Sequence, residues 1–196
     1  MKITKEHRDL IIGLSIGDGA LQGGILKILQ CEKQKKYVEW KKQLLNSYGI
    51  KTTDIKEKDN NGFKAYYFRT YSYDFIKNIY NYLYIPKKTI TRKCLNRLNP
   101  LTIAIWYMDD GGLSQKKRNG KIHANDLILN TGLQKEKNQI IIDYFNEVWD
   151  IHFTQVKNHN VYRLRCGTRE ARKFIKIIRP FVESVGCFDY KLNIKY

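Results

Sequence analysis

The sequence predicts an α+β protein made of two copies of one α-β-β-α-β-β-α unit, related by a pseudo-twofold. Two observations carry that prediction. Two helix-like segments each lead into the same step, Asp18 with Gly19 and Asp110 with Gly111. Residues 26–50 (LKILQCEKQKKYVEWKKQLLNSYGI) also align without gaps to residues 127–151 (LILNTGLQKEKNQIIIDYFNEVWDI), with the same order of elements on either side. A repeat of this length is too long for a solenoid unit and suits a duplicated domain whose elements face their mates. The halves are read as 1–98 and 99–196.

The elements follow in order. Residues 4–17 form a helix pattern with Thr4 as N-cap, Leu10, Ile11 and Leu14 on its apolar face, and a stop at Gly19. The aligned stretch then gives a short apolar strand, a polar turn and an amphipathic helix ending near Tyr48. A strand-turn-strand unit follows over 52–58 and 64–71, turning at Asn60, Asn61 and Gly62. A helix over 73–84 leads to the basic segment Pro86, Lys87, Lys88 and Thr89.

The second half repeats this. Asn99 caps a helix with Pro100 at its first position, apolar through Met108 and stopped by Gly111 and Gly112. Its amphipathic helix ends near Trp149, its strands lie at 153–157 and 161–166, and its last helix at 169–182 precedes Asp189, Tyr190, Lys191 and Leu192. Three strands per half are read directly and a fourth is inferred. Trp40, Trp106 and Trp149 are read as core.

Charge limits the function. Thirty-six Lys and Arg oppose nineteen Asp and Glu, for a net charge of +17 and a pI near 9.7. A polyanion is the expected partner, with anionic membrane the weaker alternative. The basic residues run from Lys2 to Lys195, so a folded surface carries them rather than a tail. No run of 18 apolar residues could span a membrane, and the charged residues 1–9 give no signal-peptide pattern. Cys31, Cys94, Cys166 and Cys187 form no CxxC pair, and His7, His123, His152 and His159 have no metal-ligand spacing. The cysteines are expected as reduced, mostly core thiols. Abundant Lys, Asn, Ile and Tyr, whose codons are AT-rich, point to an organelle, a phage or a low-GC bacterium.

The two Asp-Gly steps carry the chemistry. A helix C-terminus is partially negative, so Asp is unfavourable there and Lys or Arg would be the neutral choice. A rule broken twice at equivalent places points to function, and a bound divalent cation would reverse the local electrostatics. Carboxylates and free helix carbonyls are hard ligands suited to Mg²⁺ or Ca²⁺. Gly13 and Gly17, one turn apart, would let a second helix approach closely. If the two Asp-Gly helices pack side by side, Asp18 and Asp110 become adjacent. Two carboxylates with metal under a basic surface describe a phosphodiester-cleaving site.

Residues 11–19 (IIGLSIGDG) and 103–111 (IAIWYMDDG) resemble the two motifs of single-chain LAGLIDADG homing endonucleases. With WYMDDGG, Lys87, Lys88, Thr89, Ile90 and Tyr190, Lys191, Leu192, the chain is most similar to the compact enzymes related to the yeast mitochondrial omega-intron endonuclease. The resemblance covers nearly the whole chain. It implies two antiparallel DNA-binding sheets flanking a central helix pair, with Asp18 and Asp110 as the metal-binding acids and Lys88 and Lys191 as the basic residues near the reacting phosphates. It implies Mg²⁺, with Mn²⁺ substituting and Ca²⁺ binding without cleavage. The motifs depart from the family at Ile16 and Met108, where an acid is usual, and at Ile105 and Asp109, which stand where the first motif has Gly13 and Gly17. Asp109 is left as a supporting residue, a solvated one or a cap.

A sheet face in the major groove could read base edges. Alternation puts Tyr162, Leu164 and Cys166 inward and Arg163 and Arg165 outward, with Gln155 and Lys157 extending the outward set. Arg69 shares a face with Tyr67 and Tyr71 and is the repeat mate of Arg165; Lys27 joins them. Residues 114–123 (SQKKRNGKIH) are an insertion whose Lys116, Lys117 and Arg118 clamp phosphate or form a solvated loop. The combined reading is a monomeric, site-specific, metal-dependent endonuclease for a long duplex of low symmetry, encoded in an intron. The rivals are a maturase that binds intron RNA and a catalytically silent DNA-binding regulator.

Overall fold

The computed structural model describes residues 2–85 and 88–194. Pro86 and Lys87 of the first basic segment lie outside the described residues. The chain divides into two compact units, one of residues 1–89 with 185–187 and one of residues 90–184 with 188–196. The division falls nine residues before the expected start of the second half at 99, for a physical reason. The short helix α4 (Arg92–Leu95) packs on α6 (Lys135–Trp149). There Arg92 pairs with Glu147 at 2.6 Å and lies 5.5 Å from the centre of the Tyr144 ring.

The first unit runs α1 (Lys5–Ile16), β1 (Ala20–Gln22), β2 (Ile25–Cys31), α2 (Lys35–Ser47), β3 (Lys56–Asn60), β4 (Phe63–Arg69) and α3 (Asp74–Tyr84). Its four strands form one antiparallel sheet in the order β1-β2-β4-β3. The second unit adds α5 (Pro100–Asp110), β5 (Gly111–Arg118), β6 (Lys121–Leu133), β7 (Thr154–Asn158), β8 (Val161–Cys166) and α7 (Thr168–Glu183) to α4 and α6. Its sheet has the matching order β5-β6-β8-β7. The inferred fourth strand is thus present in each half.

Equivalent residues pair equivalently. Ile28 opposes Phe68 and Lys27 opposes Arg69 in the first sheet, as Leu129 opposes Leu164 and Ile128 opposes Arg165 in the second. Because side chains alternate across a strand, this shared register gives both sheets one core face and one outer face. Leu26, Ile28 and Phe68, and likewise Leu127, Leu129 and Leu164, are fully buried.

Local signals set the helices. Asn99 accepts from the Thr102 N–H at 3.0 Å while Thr102 Oγ1 accepts from the Asn99 N–H at 2.8 Å, a reciprocal cap opened by Pro100. At Thr4 the reciprocal partner is His7, whose Nδ1 accepts from the Thr4 N–H at 3.2 Å and whose Nε2 lies 2.9 Å from the Tyr48 carbonyl. That gives His7 a structural role. Residues 102–108 of α5 are all buried, as expected of a helix apolar around its whole circumference. Its Tyr107 joins a ring cluster with Phe145, Phe153 and Phe174, the paired ring centres 5.2–6.0 Å apart. Trp106 is buried there, but Trp40 and Trp149 are only half-buried, and Trp149 donates to the Tyr144 hydroxyl at 2.9 Å.

Two expectations change, and the two glycines have a separate cause. Residues 114–123 are not a loop: they are the paired arms of β5 and β6, closed by Asn119 and Gly120 at φ 50° and 75°. Helix α1 stops at Ile16, so Asp18 sits in the turn after it, whereas Asp110 is the last residue of α5. The glycine after each Asp does not supply a left-handed turn: Gly111 has φ −94°, and Gly19 is not at positive φ. It is there for space: a Cβ on Gly111 would strike the Tyr107 ring and carbonyl oxygen, and one on Gly19 would strike the Leu14 carbonyl.

The four cysteines are free, Cys94 and Cys166 buried, Cys187 half-buried and Cys31 exposed. Burial pushes the Cys166 thiol up to about 12, which removes it as a nucleophile at neutral pH. No helix among the described residues is long and apolar enough to cross a membrane.

Gly111→Ala should cost roughly 1–3 kcal/mol by overpacking, seen as a melting point lower by about 2–12 °C. Gly112→Ala, whose Cβ would meet nothing within 4 Å, should melt within about 2 °C of the parent. Equal melting of the two variants would contradict the close-approach reading.

Candidate active site and nucleic-acid interface

The α5 end is closed by partners from three directions. The Gly111 N–H bonds back to the Tyr107 carbonyl, and Asn130 Nδ2 donates to the Asp110 carbonyl at 3.0 Å. Lys191, in a single 3₁₀ turn (Asp189–Lys191), sends its Nζ to the Met108 carbonyl at 2.6 Å and the Tyr107 carbonyl at 3.4 Å. Tyr107 returns a bond from its hydroxyl to the Lys191 carbonyl at 2.8 Å. Burial raises the Tyr107 phenol well above its ordinary range, so it stays a donor. A cation thus meets the negative helix end that the sequence leaves without Lys or Arg, and it meets it beside Asp109 and Asp110.

The end of α1 is built differently. Gly17 caps it, and the Gly19 N–H bonds to the Leu14 carbonyl at 2.9 Å. Asp18 is exposed, and its Oδ2 accepts from Gln30 Nε2 at 3.1 Å. Lys88 is exposed, with its ammonium 5.7 Å from the centre of the Tyr84 ring. Tyr84 is hydrogen-bonded to the Leu21 backbone of β1. The two lysines that the repeat pairs therefore differ: Lys191 is 7% exposed and bound to helix carbonyls, while Lys88 lies on the surface. Gly13 is buried in α1 and Gly17 is half-buried at its end.

The outer sheet faces are basic. Lys27, Tyr67 and Arg69 share the outer face of the first sheet with Lys56, which opposes Tyr67. Lys27 Nζ lies 5.4 Å from the centre of the Tyr67 ring. A groove of ≈ 440 Å³ runs along this face from Asp18 past Lys27 to Phe63. Tyr71 is exposed and lies beyond the end of β4. In the second sheet Arg163 and Arg165 are on the outer face, Lys116 is half-exposed, and Lys117 and Arg118 are exposed on the hairpin arm.

Gln155 and Lys157 are corrected. They oppose Leu164 and Tyr162, so they lie on the helix-side face, and Gln155 donates to Gln139 of α6 at 3.2 Å. The outward residues of β7 are Thr154, Val156 and Asn158. Phe153 explains the placement: it is buried just before β7, and alternation from it carries 155 and 157 to its side.

Sequence reasoning passed over three residues. Gln30 and Asn130 attend the two acids, and Asp126 stands on the outer face between Lys116 (3.0 Å) and Arg165 (2.7 Å). Gln30 had a signal, being polar at the third inward position after Leu26 and Ile28. Asp126 had one too, an acid beside an apolar strand in a chain of +17.

The donors suit a hard cation. The helix ends offer carboxylate and amide oxygens, and no group of three or more His, Cys, Asp or Glu that could hold a metal ion exists among the described residues. One carboxylate per helix end, with water and substrate phosphate completing the shell, is how Mg²⁺ is commonly held.

Comparison with known proteins agrees with this fold. The LAGLIDADG DNA endonuclease family matches residues 8–174. A protein of Mycosarcoma maydis named probable intron-encoded DNA endonuclease 3 is 26% identical, over 67% of this chain and 96% of its own. The solved structure of the homing endonuclease I-WcaI bound to its DNA recognition sequence superposes with a TM-score of 0.80 at 21% identity, covering 100% of this chain and 89% of that one. The structure of I-DmoI in complex with DNA and Ca has a TM-score of 0.53 at 18% identity, over 95% and 98% of the two chains. The matched span takes in both Asp-Gly steps and all eight strands, and the chain belongs to the LAGLIDADG DNA endonuclease family.

Proposed function

We propose that this protein is a site-specific, divalent-metal-dependent endonuclease that makes a double-strand break in a long duplex, each half attending to one strand. One observation carries the reading: in each unit an acid at a helix end adjoins the outer face of a basic four-stranded sheet. Asp18 opens the groove that passes Lys27, and Asp110 directly precedes β5. A relative's name, with the words intron-encoded, supports a gene carried in an intron, and the AT-rich residue usage accords with an organellar genome.

The chain's own residues divide the work. Lys27, Lys56 and Arg69 on one sheet, and Lys116, Arg163 and Arg165 on the other, bind phosphate and base edges. Gln30 holds the Asp18 carboxylate in one orientation, and Asn130 with Lys191 fixes the backbone that carries Asp110. Mg²⁺, with Mn²⁺ in its place or Ca²⁺ as a non-cleaving substitute, would be held by Asp18 and Asp110 and would supply Lewis acidity and a water of lowered pKa. Lys88, exposed on its surface, stabilises charge developing on the phosphate. Lys191 acts by setting the position of Asp110. The two sheets present different side chains, so the preferred duplex has low symmetry.

Asp18→Asn and Asp110→Asn should each abolish linearisation of a plasmid carrying the joined flanks of the gene, at unchanged folding and with binding largely kept. Linearisation by either variant at the parent rate would overturn the assignment. Binding by the parent without cleavage in Mg²⁺ would make it a regulator.

The lysines should separate. Lys88→Met should slow cleavage by on the order of 10- to 1000-fold without lowering the melting point. Lys191→Met should slow cleavage and also destabilise by about 1.5–3 kcal/mol, because it strips a charged donor from buried carbonyls. Thermal melting beside single-turnover rates decides this, and identical melting of the two variants would contradict it.

A further inference from the structure

The outer face of the second sheet holds an acid that the proposed reaction leaves unused. Asp126 is 6% exposed, and its Oδ2 lies 2.7 Å from Arg165 Nε and 3.0 Å from Lys116 Nζ. Arg165 opposes Ile128, two residues along β6 from Asp126, so the pair runs diagonally on one face. A carboxylate that engages the Nε side of a guanidinium leaves the two Nη groups at the far end of the fork. The Arg165 side chain is 39% exposed, so that end is accessible.

The first unit shows that the sheet does not require this acid. Arg69 is the mate of Arg165 and opposes Lys27 in the same register, yet the position equivalent to Asp126 is Ile25. The same strand pairing and the same buried residues form there with an apolar side chain in the acid's place. An acid on a face meant for a polyanion also opposes binding electrostatically. Its presence in one half alone is accounted for by what it does to Arg165.

We infer that Asp126 is a positioning residue that locks Arg165 with its Nη fork directed off the sheet, making Arg165 the reader of one guanine in the major groove. With Nε taken by Asp126, a bidentate bond to guanine O6 and N7 must come from both Nη groups, held in one plane at one angle. A tethered Nε fixes that angle before DNA arrives. Arg69, with no such anchor, contributes mainly charge. The inference rests on the reading of the sheets as a DNA surface.

Selection from a randomised duplex library, with no cleavage step and Ca²⁺ present, tests it with the full chain. The parent should enrich a motif that includes a guanine preference lost in Arg165→Ala. Asp126→Asn should weaken that same preference at least about threefold, out of the roughly 5- to 150-fold a bidentate contact provides, and leave other positions unchanged. Arg165→Lys, which keeps the charge but has no fork, should lose the preference as fully as Arg165→Ala, and it tests the idea even if Asp126→Asn folds poorly. An Asp126→Asn profile identical to the parent, a uniform loss at all positions, or a guanine preference retained by Arg165→Lys overturns the inference. If the parent itself enriches no sequence, the DNA reading fails first and the inference falls with it.

Discussion

A carboxylate placed at the C-terminal end of a buried helix constrains the rest of this structure. The last carbonyls of a helix have no partner within it, and in a buried helix each must find one. At α5 the partners are a glycine N–H, the Asn130 amide and the Lys191 ammonium, drawn from β5, β6 and the chain's final turn. Their convergence fixes where the helix stops, where β5 begins and where Asp110 stands. The glycine is part of the same constraint, because the strand leaves so close to Tyr107 that no Cβ fits. At α1 the solution is lighter, with one backbone bond to Leu14 and an amide from Gln30 on the Asp18 carboxylate.

The shared strand register turns that local constraint into a molecular plan. Both sheets bury the same two rows of apolar side chains and turn the alternate rows outward. Duplication thus supplies two equivalent basic faces, each next to an acid, while the individual outward residues are free to differ. Lys27 and Tyr67 on one face, and Arg163 with Arg165 and Asp126 on the other, are such differences. Two similar faces with different side chains suit an asymmetric double helix, where geometry repeats and sequence does not.

Much of this was legible where the physics is local. Thr4, Asn99 and Pro100 are capping signals that act within a single turn, and the helices begin at the residues they mark. The ungapped repeat revealed both sheets because a buried face forces period-two alternation. What was hidden depends on contacts distant in sequence. The β7 face turned on Phe153, one residue before the strand, and starting alternation at Gln155 places every side chain on the wrong side. The 114–123 segment has Ile122 as its one large apolar side chain, and only the pairing of β5 with β6 identifies its arms as strands. Lys191 read as the twin of Lys88, and its burial against α5 depends on Tyr107, far away in the chain.

The roles of Asp18 and Asp110 can be seen directly by soaking crystals of the protein, grown with a duplex selected from a randomised library, in Mn²⁺ and recording an anomalous-difference map. The account predicts anomalous density at the carboxylate oxygens of Asp18 and of Asp110, and its loss at whichever acid is changed to Asn. Density at Asp109 or Asp126 instead, or none at either helix end with cleavage intact, would contradict it.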